Sequence, residues 1–97
     1  MYVHKLYMPN ISHKIRDNIT EELTKKHGGC TMYHSMGYWN NEENQKMIEP
    51  VLVFEVITDS DKTPQAFLTA VDNLIDLGEE CVLVTTQEID AQFISRE

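Results

Sequence analysis

Residues 2–8, YVHKLYM, alternate apolar and polar positions and are rich in aromatic and branched side chains, which predicts a strand. Pro9 and Asn10 end it. The period then changes. Ile11, Ile15, Ile19 and Leu23 recur every four residues, drawing an apolar stripe along a helix that turns Lys14, Arg16, Asp17, Glu21 and Glu22 toward water. Ser12 stands at the capping position, and Lys25, Lys26 and His27 fall in the last turn, where positive charge suits the helix dipole. Gly28 and Gly29 stop the helix, because glycine takes the left-handed conformation without steric cost.

Residues 30–39 return to period two. Cys30, Met32, His34, Met36 and Tyr38 then share one face of a second strand, and Thr31, Tyr33, Ser35, Gly37 and Trp39 share the other. The polar run Asn40 to Asn44 predicts a turn inside a hairpin loop that reaches Met47. Glu49 and Pro50 lead into VLVFEVIT, a third strand that is apolar on both sides, as a central strand covered on both faces should be. Thr63 and Pro64 predict the start of a second helix, with Thr63 as its cap and Pro64 at the first helical position. Phe67, Ala70, Val71, Leu74 and Leu77 form its buried stripe and Gly78 ends it. Residues 80–86, ECVLVTT, predict a fourth strand, and Gln92–Ser95 a short additional one.

This order predicts an α+β, ferredoxin-like βαββαβ sandwich with an additional short C-terminal strand: an antiparallel sheet carrying two helices on one face. At 97 residues the chain is expected to form a single domain spanning 1–97. Two helices cover only one side of such a sheet, yet the second, third and fourth strands carry apolar residues on both. A second subunit is the simplest cover, so a homo-oligomer, dimer or trimer, is expected.

Composition narrows the setting. No apolar run approaches the roughly 18 residues of a membrane span, so no membrane association is expected. MYVHKLYMPN lacks the apolar stretch of a signal peptide. The two cysteines, Cys30 and Cys81, are too few for a disulfide framework and fit a reducing cytoplasm. Residues 1–46 hold six bases and five acids; residues 47–97 hold two bases and eleven acids, which together make the net charge of −8. An acidic second half repels phosphate backbones, so general nucleic-acid binding is not expected.

Candidate chemistry is concentrated in GGCTMYHSMGYWNN, residues 28–41. Cys30 and His34, with the nearby methionines, are soft ligands of the kind copper(I) prefers. Against this, neighbours two apart on one strand face lie roughly 7 Å apart, and no paired motif completes a ligand shell, so a packed face is the simpler reading and no metal or cofactor is expected. No nucleophile motif, P-loop or dinucleotide fingerprint is present, and no catalytic residue is assigned. Trp39 and Tyr38 beside Asn40 and Asn41 combine apolar rings with a polar loop, which suits either recognition or anchoring of the hairpin. Lys14, Arg16, Lys25 and Lys26 are the only cationic cluster able to hold an anion, and also suit solubility and the helix dipole.

Gly28-Gly29, Thr31, Gly37, Trp39, the Glu49-Pro50-Val51 triplet and the closing EECVLVTTQ strand together resemble a group of small, mostly uncharacterised bacteriophage-encoded proteins with a GG-x-T…G-x-W…EPV pattern. The element order is also similar to that of PII and CutA proteins. Those are trimers whose loop after the second strand reaches into subunit clefts; PII proteins bind nucleotides there, and CutA proteins are linked to copper. The resemblance implies a cytoplasmic, phage-encoded binding protein for a small anionic ligand such as a nucleotide signal, or for a host protein whose defence it counters. The expected ligand site lies between subunits at Tyr38, Trp39, Asn40 and Asn41 with Arg16 or Lys25. Two alternatives stay open: a dimeric α+β barrel enzyme with His4, Tyr7, His34 and Trp39 lining a pocket, and a soft-metal binder using Cys30 and His34.

Overall fold

A computed structural model describes residues 1–96. The elements are β1 (Tyr2–Pro9), α1 (His13–His27), β2 (Thr31–Asn40), β3 (Lys46–Thr58), α2 (Gln65–Asp76) and β4 (Leu83–Glu88). The four strands form one sheet in the order β2-β3-β1-β4, and every neighbouring pair is antiparallel. This is the expected ferredoxin-like arrangement, with both helices on one face.

Alternation decides what meets the helices. His4, Leu6 and Met8 of β1 share a face with Leu52, Phe54 and Val56 of β3, and the register sets them side by side. Against this face α1 lays Ile15, Ile19 and Leu23, and α2 lays Ala66, Phe67, Ala70 and Leu74. Both helix ends of α1 follow the sequence reading. The Ser12 hydroxyl accepts a hydrogen bond from the Ile15 amide at 3.2 Å, and Gly28 takes φ of 82° as the left-handed stop.

His4 is the one fully buried polar side chain in this layer. Its Nδ1 lies 2.8 Å from the Thr86 hydroxyl, and its Nε2 lies 2.9 Å from both the Thr58 hydroxyl and the Ser60 carbonyl. A carbonyl can only accept, so Nε2 carries the hydrogen. The ring thereby ties β1 to β4 and to the end of β3, with no buried polar side-chain atom left unpaired among the described residues.

Several local expectations change. Helix α2 starts at Gln65, with Pro64 at the cap position and no side-chain capping bond, so Thr63 does not cap it. Leu77 ends α2 and is exposed, while Ala66 is buried in its place on the stripe. Strand β3 begins at Lys46, not after Pro50, because the hairpin continues far past the end of β1. Strand β4 runs from Leu83 to Glu88, where Tyr7 to Tyr2 of β1 offer it partners. The additional strand at Gln92–Ser95 does not form within the protomer. Past Ile89, whose amide donates to the Met1 carbonyl at 2.9 Å, residues 91–96 join no ladder, and Phe93 lines a pocket with Thr31 and Ile57.

Candidate functional site: a groove beside the hairpin arm

Beyond the Pro9–Val51 pair β1 stops, and β2 and β3 continue alone as a two-stranded arm from Gly37–Glu49 to Asn40–Lys46. The arm makes the molecule 55 Å long against 25 and 23 Å in the other directions. Gly37 is what lets the arm pack on itself. A Cβ at this position would stand 2.9 Å from Val51 Cγ2 and 3.8 Å from the Trp39 ring, so only glycine admits that approach without displacement.

The tip of the arm is shaped by one side chain. Asn41 Oδ1 accepts from the amides of Glu43 at 3.0 Å and Gln45 at 2.9 Å, while the Asn41 amide donates to the Gln45 carbonyl at 3.0 Å. Asn44 then takes φ of 59°, a left-handed value that asparagine tolerates better than most residues. Asn41 therefore spends its acceptor on the turn. Lys46 sits 5.3 Å from the centre of the Tyr38 ring, within range of a cation–π contact.

Between the arm and the Gly78–Leu83 segment that joins α2 to β4 lies a groove of about 900 Å³. Tyr7, Pro9 and Val51 lie at the sheet end of it, and Met36, Tyr38, Trp39 and Met47 come from the arm. Tyr38 and Trp39 remain 60% and 42% exposed, which is costly for such rings unless something rests on them. Glu42, Glu43, Glu49, Glu79 and Glu80 complete the lining, and no lysine or arginine joins them. Glu49 records this crowding: burial, and then the charge of Glu79, hold its carboxyl above the usual 4.5.

The expected site residues divide. Tyr38, Trp39, Asn40 and Asn41 all line the groove. Arg16 and Lys25 do not share it within one protomer. Arg16 reaches Asp17 at 3.2 Å, and Lys25 lines a separate groove of about 410 Å³ between α1 and α2. The enzyme set is also split. His4 and His34 belong to the helix side of the sheet, whereas Tyr7 and Trp39 belong to the opposite side, and β3 separates the strands that carry the two histidines. His4 is buried in its own hydrogen bonds, so the four side chains do not line one pocket. Cys30 is half-buried against the core while His34 is exposed on β2, and among the described residues no three His, Cys, Asp or Glu side chains are grouped to hold a metal. Glu49, Glu79 and Glu80 were not singled out from sequence; the acidity of the second half was visible, but its convergence on the arm depends on where α2 returns the chain.

No protein-family model matches the chain, and no curated protein does. Solved structures do. The chain is similar to the periplasmic divalent cation tolerance protein CutA from Archaeoglobus fulgidus, with TM-score 0.64 at 13% identity over 96% of this chain and 88% of that one. It is similar to GlnK of B. subtilis, solved as a complex with ATP, with TM-score 0.66 at 12% identity over 91% and 80%. It is similar to a phage SAM lyase bound to S-methyl-5'-thioadenosine, with TM-score 0.53 at 17% identity over 90% and 80%. At these identities the likeness establishes the fold, the one found in CutA and PII-like proteins.

Proposed function

We propose that the protein is a small homo-oligomeric binding protein that takes a nucleoside-type ligand in the groove beside the hairpin arm, stacked on Trp39, with Tyr38 on the other face of the arm. The observation that carries this reading is the groove itself, where exposed aromatic rings meet a polar loop over a volume ample for a nucleotide. Two structures with this fold hold adenosine-containing ligands, which supports the ligand class. The sheet face opposite the helices supports the oligomer: Tyr33, Trp39, Met47 and Leu83 lie exposed on it. The sequence pattern supports a phage-encoded, cytoplasmic protein whose ligand is a nucleotide signal or whose partner is a host protein.

The charge of the groove decides what the ligand must be. With five glutamates in the lining and Lys46 near it over the Tyr38 ring, an anionic nucleotide is better held where a second protomer also brings Arg16 or Lys25 to the groove. The same lining favours a second reading, a nucleoside carrying positive charge, such as the sulfonium substrate implied by a SAM lyase.

Thermal shift with ATP, adenosine, S-methyl-5'-thioadenosine and SAM tests both. An ATP shift lost in Trp39→Ala and in Lys25→Ala or Arg16→Ala supports the anionic ligand. A shift with SAM that exceeds the one with ATP, lost in Trp39→Ala and Glu49→Gln, supports the cationic one. No shift with any of the four overturns nucleoside binding.

A further inference from the structure

His4 is a buried basic side chain that the groove does not use. The register explains why it meets Thr86. The Ile89 amide donates to the Met1 carbonyl, so the pairs that exchange backbone hydrogen bonds are Met1 with Ile89, Val3 with Gln87 and Lys5 with Thr85. His4 and Thr86 form an intervening pair without such bonds, the kind in which facing side chains stand closest. The Thr86 amide therefore points away from β1, and because β4 is an edge of the sheet that amide has no strand partner.

The hydrogen positions follow from the partners. The Ser60 carbonyl, 2.9 Å from Nε2, can only accept, so Nε2 carries the ring hydrogen and Nδ1 presents a bare lone pair. Thr58 fixes the same end, since its hydroxyl donates to the Ser60 carbonyl at 2.9 Å and accepts from the Ser60 amide at 3.2 Å. The 2.8 Å contact between Nδ1 and the Thr86 hydroxyl then requires the hydroxyl to donate. Both lone pairs of the Thr86 oxygen are left free. The two ends also differ in exposure: His4 is fully buried, and Thr86 is exposed. Packing accounts for the buried end and leaves the open one unexplained.

A hydroxyl, an imidazole and a fixed acceptor in this order make an activated nucleophile, its base and the group that orients the base. We infer that Thr86 is an acyl-accepting hydroxyl, with His4 as its base, that takes an acyl group from a small activated ester or thioester. The site is separate from the groove, which meets β4 at Leu83, opposite Tyr7 and on the other face of the sheet. In the reaction the Thr86 oxygen bonds to the acyl carbon and its proton passes to Nδ1. The Nε2 hydrogen stays on the Ser60 carbonyl, which holds the imidazolium as it forms. The unpaired Thr86 amide is the donor on offer to the acyl carbonyl oxygen as that oxygen gains charge. The bond from the acyl carbon to the leaving oxygen or sulfur then breaks, and Nδ1 returns the proton to that atom. The products are acylated Thr86 and a free alcohol or thiol, and His4 is neutral again.

Thr85 is the internal control, an exposed threonine on the same strand that faces away from His4. The intact chain is treated with p-nitrophenyl acetate at neutral pH, and acetylated residues are followed over time by peptide mass mapping. Thr86 is expected to react at least about a hundredfold faster than Thr85. His4→Gln should bring Thr86 down to the Thr85 rate, with circular dichroism showing that the chain still folds. Thr86→Ser should keep the fast reaction at that position, and Thr86→Val should abolish it there. Equal rates at Thr86 and Thr85 in the unaltered chain overturn the inference. Fast acetylation of Thr86 that persists in folded His4→Gln also overturns it. If His4→Gln does not fold, the unaltered chain decides: the Thr86 reaction must slow in heavy water, because its proton moves as the bond forms, and an unchanged rate overturns the inference.

Discussion

Phe54 and Tyr38 lie on the two strands of one hairpin, on the same face, and stand at opposite ends of the burial scale, 0% and 60% exposed. Phe54 belongs to the half of the hairpin that lies beside β1 and under the helices. Tyr38 belongs to the half that has outrun them. Both halves use the same alternation and the same kinds of side chain, so the difference is not in the strand residues. It lies in what the rest of the chain brings opposite them. In the body, seven helix side chains meet the sheet and the aromatic rings become structure. In the arm no helix arrives, and the rings are left available to a ligand or to another subunit.

Substitutions can test this division, from the body outward. Phe67→Ala removes a fully buried ring from between α2 and the sheet, and is expected to cost about 3–5 kcal/mol in urea unfolding. A loss below about 1 kcal/mol would mean that the helix layer is not the main source of stability. His4→Leu keeps the volume but strands polar groups on β3 and β4, and should cost about 1–3 kcal/mol by the same assay. In the arm, Gly37→Ala sets a methyl 2.9 Å from Val51 Cγ2, which must give way, and in contact with the Trp39 ring. It is expected to cost about 1 kcal/mol and to shift Trp39 fluorescence, the spectral change being the larger signal.

Glu49→Gln should act weakly and in a pH-dependent direction. The folded state holds the Glu49 proton more tightly than the unfolded chain does, because burial and Glu79 oppose its ionised form. The penalty is therefore present above the folded pKa and fades as pH falls through it. The variant should melt slightly higher than wild type at neutral pH, with the gap closing as the pH falls toward 4.5. Trp39→Ala should have the smallest effect on stability of all. If instead it costs as much as Phe67→Ala, the arm is structural in the protomer and the comparison between the two halves fails.

What sequence reveals follows the same boundary. The helix stop at Gly28, the two faces of β2 and the apolar stripes from Ile15 to Leu23 and from Phe67 to Leu74 are written in local periodicity and the structure keeps them, whereas Ile11 and Leu77, at the ends of the expected stripes, fall outside the helices and are exposed. Thr63 misled because a good capping residue need not be used when the chain enters the helix at Pro64 with ψ of 141°. The aromatic half of the site was legible, since Tyr38 and Trp39 stand beside a polar turn. Its acidic half was not. Glu49 and Glu79 are thirty positions apart, and only the return of α2 along the sheet sets their charges against each other. Separating His4 from His34 likewise required the strand order, which places β3 between them.

Strand order also bears on how the chain acquires its shape. Strand β1, ahead of the other described strands in the chain, is an inner strand, and it pairs with residues 51–58 and 83–88. His4 finds Thr86 across 82 positions of sequence. Nothing in the first half of the chain can complete β1, so loops of this length must close before its ladders return any free energy. Folding should consequently be slow for a domain of this size, and a nascent or truncated chain lacking β4 would hold β1 open on one side. The sheet is complete only once β4 covers the free side of β1.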